Sequence, residues 1–245
     1  MRQDTEEVSA LKIRVKFSKI GVMKFIGHLD VMRYFQKAIR RAGIDIAYSE
    51  GMSPHMIMSF ASPLGVGLTS DGEYMDIEIH TPITSAQAIE ALNRVGVEGI
   101  TVTQFRQIGE TKADRGMTLV AAADYELTFR SGCKPKGDWQ SGISHFFAQK
   151  SITVMRKTKR SEQETDIRPM IYEMSVNAGT VFLKLAAGSA ANLKPELVMD
   201  AYLASIGVEA EPFAYEIHRC ELYADTGSNG KRRLVPLGDL GTDIE

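Results

Sequence analysis

With 245 residues and a formal net charge of −2, the chain can bury one or two cores but carries no broadly basic surface, so any nucleic-acid contact has to come from a local patch. Its 44% hydrophobic and 24% charged residues are those of a globular protein, and no apolar run approaches the roughly 20 residues of a membrane-spanning helix. Cys133 and Cys220, far apart and without CxxC spacing, give no disulfide framework and read as reduced thiols. The acidic, polar start MRQDTEEVSA has no apolar signal core. The expectation is a cytoplasmic protein with no membrane contact.

Leu11 to Phe17 alternates, with Leu11, Ile13, Val15 and Phe17 on one side and Lys12, Arg14 and Lys16 on the other, which predicts a half-buried strand with a cationic outer face. His28 to Ala42 follows at helical period: Val31, Phe35, Ala38 and Ala42 line one face, Arg33, Lys37, Arg40 and Arg41 another, and Gly43 ends the helix. Ile44 to Tyr48 reads as a short strand and Ser49 to Ser62 as a loop. Ser70-Asp71-Gly72 is a turn before a strand over Tyr74 to Ile79. Thr84 or Ser85 caps a helix over Ala86 to Val95, and Ile100 to Ile108 is a strand.

The second half repeats that order. Ala123 to Phe129 is a strand, Trp139 to Gln149 a helix, and Ser151 to Met155 a strand running into Arg156, Lys157, Lys159 and Arg160. The stretch Lys157 to Glu164 reads as flexible. Met170 to Val176 and Thr180 to Leu185 flank the hairpin signal Asn177-Ala178-Gly179. A helix with Pro195 in its first turn ends at Gly207, and Pro212 to Tyr223 is the last strand. The fold class is α+β: two tandem ferredoxin-like (βαββαβ) domains with antiparallel sheets. The boundaries are 1–112 for the first domain, with the basic helix and the His55 loop, 113–224 for the second, and 225–245 for a polar tail. That tail is either loosely held or a small hairpin at Ser228-Asn229-Gly230.

Lys12, Arg14, Lys16, Arg33, Lys37, Arg40 and Arg41 are the candidates for phosphate or nucleic-acid contact; a solvated helix face balanced by acidic neighbours is the alternative. If the protein is an enzyme, His28, Asp30, His55 and Arg168 are the catalytic candidates. Histidine shuttles protons near neutral pH, a carboxylate orients it, and a guanidinium stabilises developing negative charge. The plainer alternatives are a helix cap at His28 or Asp30, a loop contact at His55, and an intrachain pair between Arg168 and Asp166. Arg168, before Pro169, is expected in extended geometry. The five histidines show no HxxxH or HxH spacing, and Pro63-Leu64-Gly65-Val66-Gly67 is no phosphate loop. No metal site is expected.

Several stretches carry a resemblance. They are RVKFSK (Arg14 to Lys19), FIGHLD (Phe25 to Asp30), KAIRRAG (Lys37 to Gly43), Tyr48-Ser49-Glu50-Gly51 with Pro54-His55, and Gly72-Glu73-Tyr74. Asp166-Ile167-Arg168-Pro169 and His218-Arg219-Cys220-Glu221-Leu222-Tyr223 extend it over nearly the whole chain. Together they resemble the bacterial radical SAM-linked protein family, a conserved domain without assigned function. Gly27 stands where Ser is commoner, and Cys220 where Thr is. The resemblance marks Glu50, Gly51, Pro54, His55, Asp166, Arg168, Arg219 and Glu221 as motif residues.

It implies a partner: a radical SAM protein with a cobalamin-binding-type domain, encoded beside this chain or fused to it. A radical SAM cluster needs three closely spaced cysteines, so S-adenosylmethionine and the cluster are expected on that partner and no cofactor here. Three functions follow. One is a non-catalytic accessory or substrate-binding partner of that enzyme, contacting RNA or a translation component. Another is an RNA-binding protein or metal-independent endoribonuclease, which rests on fold analogy. The third is a protein–protein assembly module.

Overall fold

The computed structural model describes residues 10–157 and 162–245. Its elements run β1 (Leu11–Lys19), α1 (His28–Ala42), β2 (Met58–Phe60), β3 (Thr69–Ile79), α2 (Ser85–Arg94), β4 (Ile100–Gln107), α3 (Gly116–Leu119) and β5 (Val120–Phe129). They continue α4 (Ile143–Phe147), β6 (Thr153–Lys157), β7 (Glu162–Asp166), β8 (Ile171–Asn177), β9 (Thr180–Ala186), α5 (Pro195–Ser205), β10 (Tyr215–Asp225), β11 (Leu234–Pro236) and β12 (Thr242–Asp243). The fold is α+β.

One ten-stranded sheet has the order β12-β4-β1-β3-β10-β5-β9-β8, with β2 on β3 and β11 on β10. Pairing is antiparallel except where β3 meets β10, a parallel junction at Thr69 and Ser70 opposite His218 and Arg219. β6 and β7 form a separate hairpin. Among the described residues no helix is long and apolar enough to cross a membrane.

The alternation of β1 buries Ile13, Val15 and Phe17 against Val31, Phe35 and Ile39 of α1 and Ala88 and Leu92 of α2. Gly43, at φ +72°, closes α1 in the left-handed conformation. The start of α2 is held by a capping box between Thr84 and Gln87. A second apolar cluster places Leu127, Leu183 and Ile217 with Trp139, Phe146, Val198 and Tyr202.

Five expectations change. The strand Ile44 to Tyr48 reduces to two isolated bridges, Ile46 to Ile79 and Tyr48 to Met56. The edge of β3 is then completed by β2, inside the stretch expected to loop. Ser70-Asp71-Gly72 lies within β3 instead of turning, because β10 runs against it: a Cβ on Gly72 would sit 2.7 Å from both the Cys220 carbonyl oxygen and Glu221 Cα. The helix expected from Trp139 begins only at Ile143, since the Asp138 carboxylate takes the N–H groups of Gln140 and Ser141 in a turn. Arg168 opens a 3₁₀ turn, Arg168–Met170, in place of extended chain.

The tail also departs from a loose end. Ser228 bridges Lys231 at the expected hairpin, then β11 pairs with β10 and β12 with β4. The stretch expected to be flexible after Lys157 is spanned in part by β7; Lys159 and Arg160 of the basic cluster lie outside the described residues.

Candidate nucleic-acid interface

α1 is amphipathic because its apolar residues recur at helical spacing and sink into the sheet. The same spacing puts Arg33, Lys37, Arg40 and Arg41 in solvent. Arg33 pairs with Asp30 at 3.3 Å, both side chains well exposed. Lys37, Arg40 and Arg41 have no carboxylate partner among the described residues. Arg40 and Arg41 stand in the last turn, where cationic charge favours the helix end. The stripe is therefore free to meet an anion.

β1 is different. Arg14 is 1% exposed. Its guanidinium is held by both carboxylate oxygens of Asp76 at 2.9 and 3.1 Å and by the carbonyls of Leu237 and Asp114. Lys16 donates a hydrogen bond to Glu221 at 2.6 Å, and Lys12 donates to the Glu110 carbonyl. The expected cationic outer face of β1 is thus corrected. The tail and the turn before α3 lie over it, and a buried guanidinium is tolerated only when it is paired and hydrogen-bonded.

His28 begins α1 but does not cap it; Gly27 is the cap residue and makes no side-chain bond. The His28 ring stands edge-on to Phe60 at 4.9 Å. It lines a space of about 10 Å³ with Lys19, Phe60, Leu64 and Glu73, room for about one water. Burial lowers the Lys19 ammonium from its ordinary range, with Glu73 opposing. His55 belongs elsewhere. Its Nδ1 is 2.8 Å from Ser49 Oγ, and that oxygen also accepts the His55 backbone N–H at 3.1 Å. These bonds close a loop with Glu50, Gly51 (φ +106°) and Pro54, all exposed, around it.

Arg168 turns inward. It donates to the carbonyls of Gln149 and Ile171 at 3.2 and 2.9 Å and lies 4.2 Å over the Phe147 ring. Asp166 accepts the backbone N–H of Arg168 and of Ile152, each at 2.9 Å, which holds its carboxyl below the usual range. The four catalytic candidates do not converge. His28 and His55 line different cavities, Asp30 serves Arg33, and Arg168 serves backbone carbonyls.

Other motif residues meet at the β3–β10 junction. Arg219, buried on β10, donates to Glu73 through Nε at 3.0 Å and to the Ser62 carbonyl at 2.6 Å. Burial disfavours its charge, but Glu73 and Tyr125 outweigh that and its pKa is raised. Glu221 accepts from Lys16 and, at 2.8 Å, from the Tyr74 hydroxyl; burial first, then Glu221, pushes that phenol upward. Arg219, Lys16 and the Tyr74 hydroxyl each have a protein acceptor, so these residues bind the sheet together. Glu73 and Lys19 were not singled out as site residues, because only the pairing of β3 with β10 shows what they face. Among the described residues no three His, Cys, Asp or Glu are grouped to hold a metal ion.

Residues 12–195 match the model of a family described as an uncharacterized protein conserved in bacteria, DUF2344. The chain belongs to that family. No curated protein matches it significantly. Among solved structures, the chain is similar to a chain of a Cbf5-Nop10-Gar1 complex, at 13% identity and TM-score 0.43 over 86% of its length. It spans 48% of that chain, about half. A protein described as unknown, from Galdieria sulphuraria, is similar at 12% identity and TM-score 0.26, covering 86% of this chain and 97% of that one.

Proposed function

We propose that the protein is a substrate-binding companion of a radical SAM enzyme, with no catalytic step of its own, and that the substrate it holds is RNA. The observation that carries the RNA reading is the outer stripe of α1: Lys37, Arg40 and Arg41 are exposed on a fixed element and unpaired among the described residues. Three cations spaced along one face neutralise successive phosphates without reading sequence. Binding is favoured over turnover because His28, His55 and Arg168 sit in separate surroundings, whereas acid–base cleavage needs its groups within hydrogen-bond reach of one phosphate. The radical SAM partner is inferred from the sequence resemblance, and S-adenosylmethionine and its cluster are assigned to that partner.

A finer reading of the fold accompanies this. The orders β4-β1-β3 with β2, and β10-β5-β9-β8, support two ferredoxin-like units fused edge to edge, the β6–β7 hairpin being an insertion in the second.

The test is binding of total cellular RNA across a salt series, for wild type and a Lys37→Glu/Arg40→Glu/Arg41→Glu variant. Wild-type affinity should fall with salt. Losing three phosphate contacts should lower the logarithmic slope by about 2, at ~0.7 per single-strand phosphate. Equal binding by both proteins, or none at low salt, would sink the RNA reading.

A further inference from the structure

A cavity of about 210 Å³ opens on the sheet face away from α1, beside the His55 loop. Its floor includes Ile57 and Ile108, and its polar lining includes Lys12, His55, Ser59, Asp76, Glu78 and Arg115. Some of these groups are committed. Asp76 is tied to Arg14 and to the Gly116 N–H, and Lys12 to the Glu110 carbonyl. Others are not. Register sets Glu78 directly opposite Lys12, the position for a cross-strand pair, yet with Lys12 turned to Glu110 the Glu78 carboxylate has no ion pair among the described residues. Arg115 is exposed, and its guanidinium has no acceptor among them. His55, fixed through Nδ1 to Ser49, keeps Nε2 open.

One cavity thus joins an apolar floor, one open carboxylate and one open guanidinium. It is smaller than the ~300–1,000 Å³ typical of drug-sized ligands. A single nucleotide has the matching chemistry. A planar base covers the apolar floor, and its phosphate meets Arg115, with Lys12 and His55 near. Its Watson–Crick edge must offer N–H donors to Glu78, because a carboxylate only accepts. Two parallel donors match two carboxylate oxygens. Among the four bases, guanine presents that pair, in N1–H and N2–H.

We propose that this cavity is a binding site for an unstacked guanine nucleotide, read by Glu78 and anchored by Arg115. It rests on the RNA reading above and extends it: α1 holds backbone, and the cavity takes one splayed-out base.

The experiment is titration of the full chain with GMP, AMP, CMP and UMP, followed by amide chemical shifts of residues 55–59 and 108–116. Glu78→Gln and Arg115→Ala are titrated in parallel. Both sites are at least partly open to solvent, and unchanged thermal unfolding checks the fold of each variant. The expected result is saturable GMP binding in preference to the other three. Glu78→Gln, which places an N–H donor against the guanine edge, should weaken GMP about tenfold or more. Arg115→Ala should weaken all nucleotides alike. No saturable binding of any nucleotide, equal binding of all four, or GMP binding untouched by Glu78→Gln would each overturn the proposal. RNA binding by the two cavity variants keeps the failures apart. If salt-dependent binding through α1 persists while GMP does not bind, the cavity assignment fails alone; if the α1 variant binds RNA as wild type does, the backbone reading fails.

Discussion

Arg219 and Glu73 have side chains 4% and 6% exposed, so two charges leave water together and each is tolerated because of the other. Arg219→Met leaves Glu73 buried without its guanidinium partner. The expected loss is about 3–5 kcal/mol, read as a lowered urea midpoint, and replacing both partners by apolar residues should restore much of it. A single variant as stable as wild type would mean that water already reaches the pair. Gly72 acts at the same junction by having no side chain. Gly72→Ala sets a Cβ against the β10 backbone, and a cost at or above the upper end of about 1–3 kcal/mol is expected. Asp166 gives a pH-dependent case. Backbone N–H groups of Ile152 and Arg168 depress its folded pKa, so its charged form adds stability above its unfolded value, and that stability is lost as pH falls through the folded value. Asp166→Asn should therefore be less stable than wild type near about pH 6, and the gap should start to narrow only below the unfolded carboxyl value of about 4 and close as pH falls through the lower folded value. A gap that stays constant would mean that the carboxylate is not depressed.

At the scale of elements, hydrophobic period and turn residues made much of the chain legible. α1 was readable because four apolar positions and Gly43 agree. Gly43→Ala should cost about 1–2 kcal/mol, since the residue sits at φ +72°; a helix melting at the wild-type temperature would contradict that cap. Elements that depend on a distant partner were not readable. β2 is three residues, defined by its pairing with β3, and Ser70-Asp71-Gly72 carries turn residues that serve a close strand approach. α4 is shorter than its apolar pattern because the Asp138 side chain competes for the backbone at its start. The candidate site divided along the same line. The α1 stripe follows from helical spacing alone. The inward turn of Arg14, by contrast, and the open carboxylate of Glu78 needed the register of β1 on β3 and the path of the tail.

For the whole molecule the tail decides how the two halves behave. β11 extends the sheet beside β10, the Leu237 carbonyl accepts from Arg14 at 3.1 Å, and β12 lies on β4. The last turn of chain then exchanges backbone and side-chain bonds with Ser85 at the start of α2. A segment encoded after the second half thus secures the outer edge of the first, and with the β3–β10 junction it leaves neither half a complete surface of its own. Leu237 is 0% exposed, and Leu237→Ala should cost about 2–5 kcal/mol through lost burial and a residual cavity. That loss should appear in both halves together. Trp139, the single tryptophan, reports the second half by fluorescence, and far-UV circular dichroism reports the whole sheet. In urea the two signals should coincide for wild type, and Leu237→Ala should shift both midpoints equally. If the mutation moved the dichroism transition and left the Trp139 transition in place, the halves would be independent domains. The tail would then be a brace on the first half, with no part in holding one cooperative unit together.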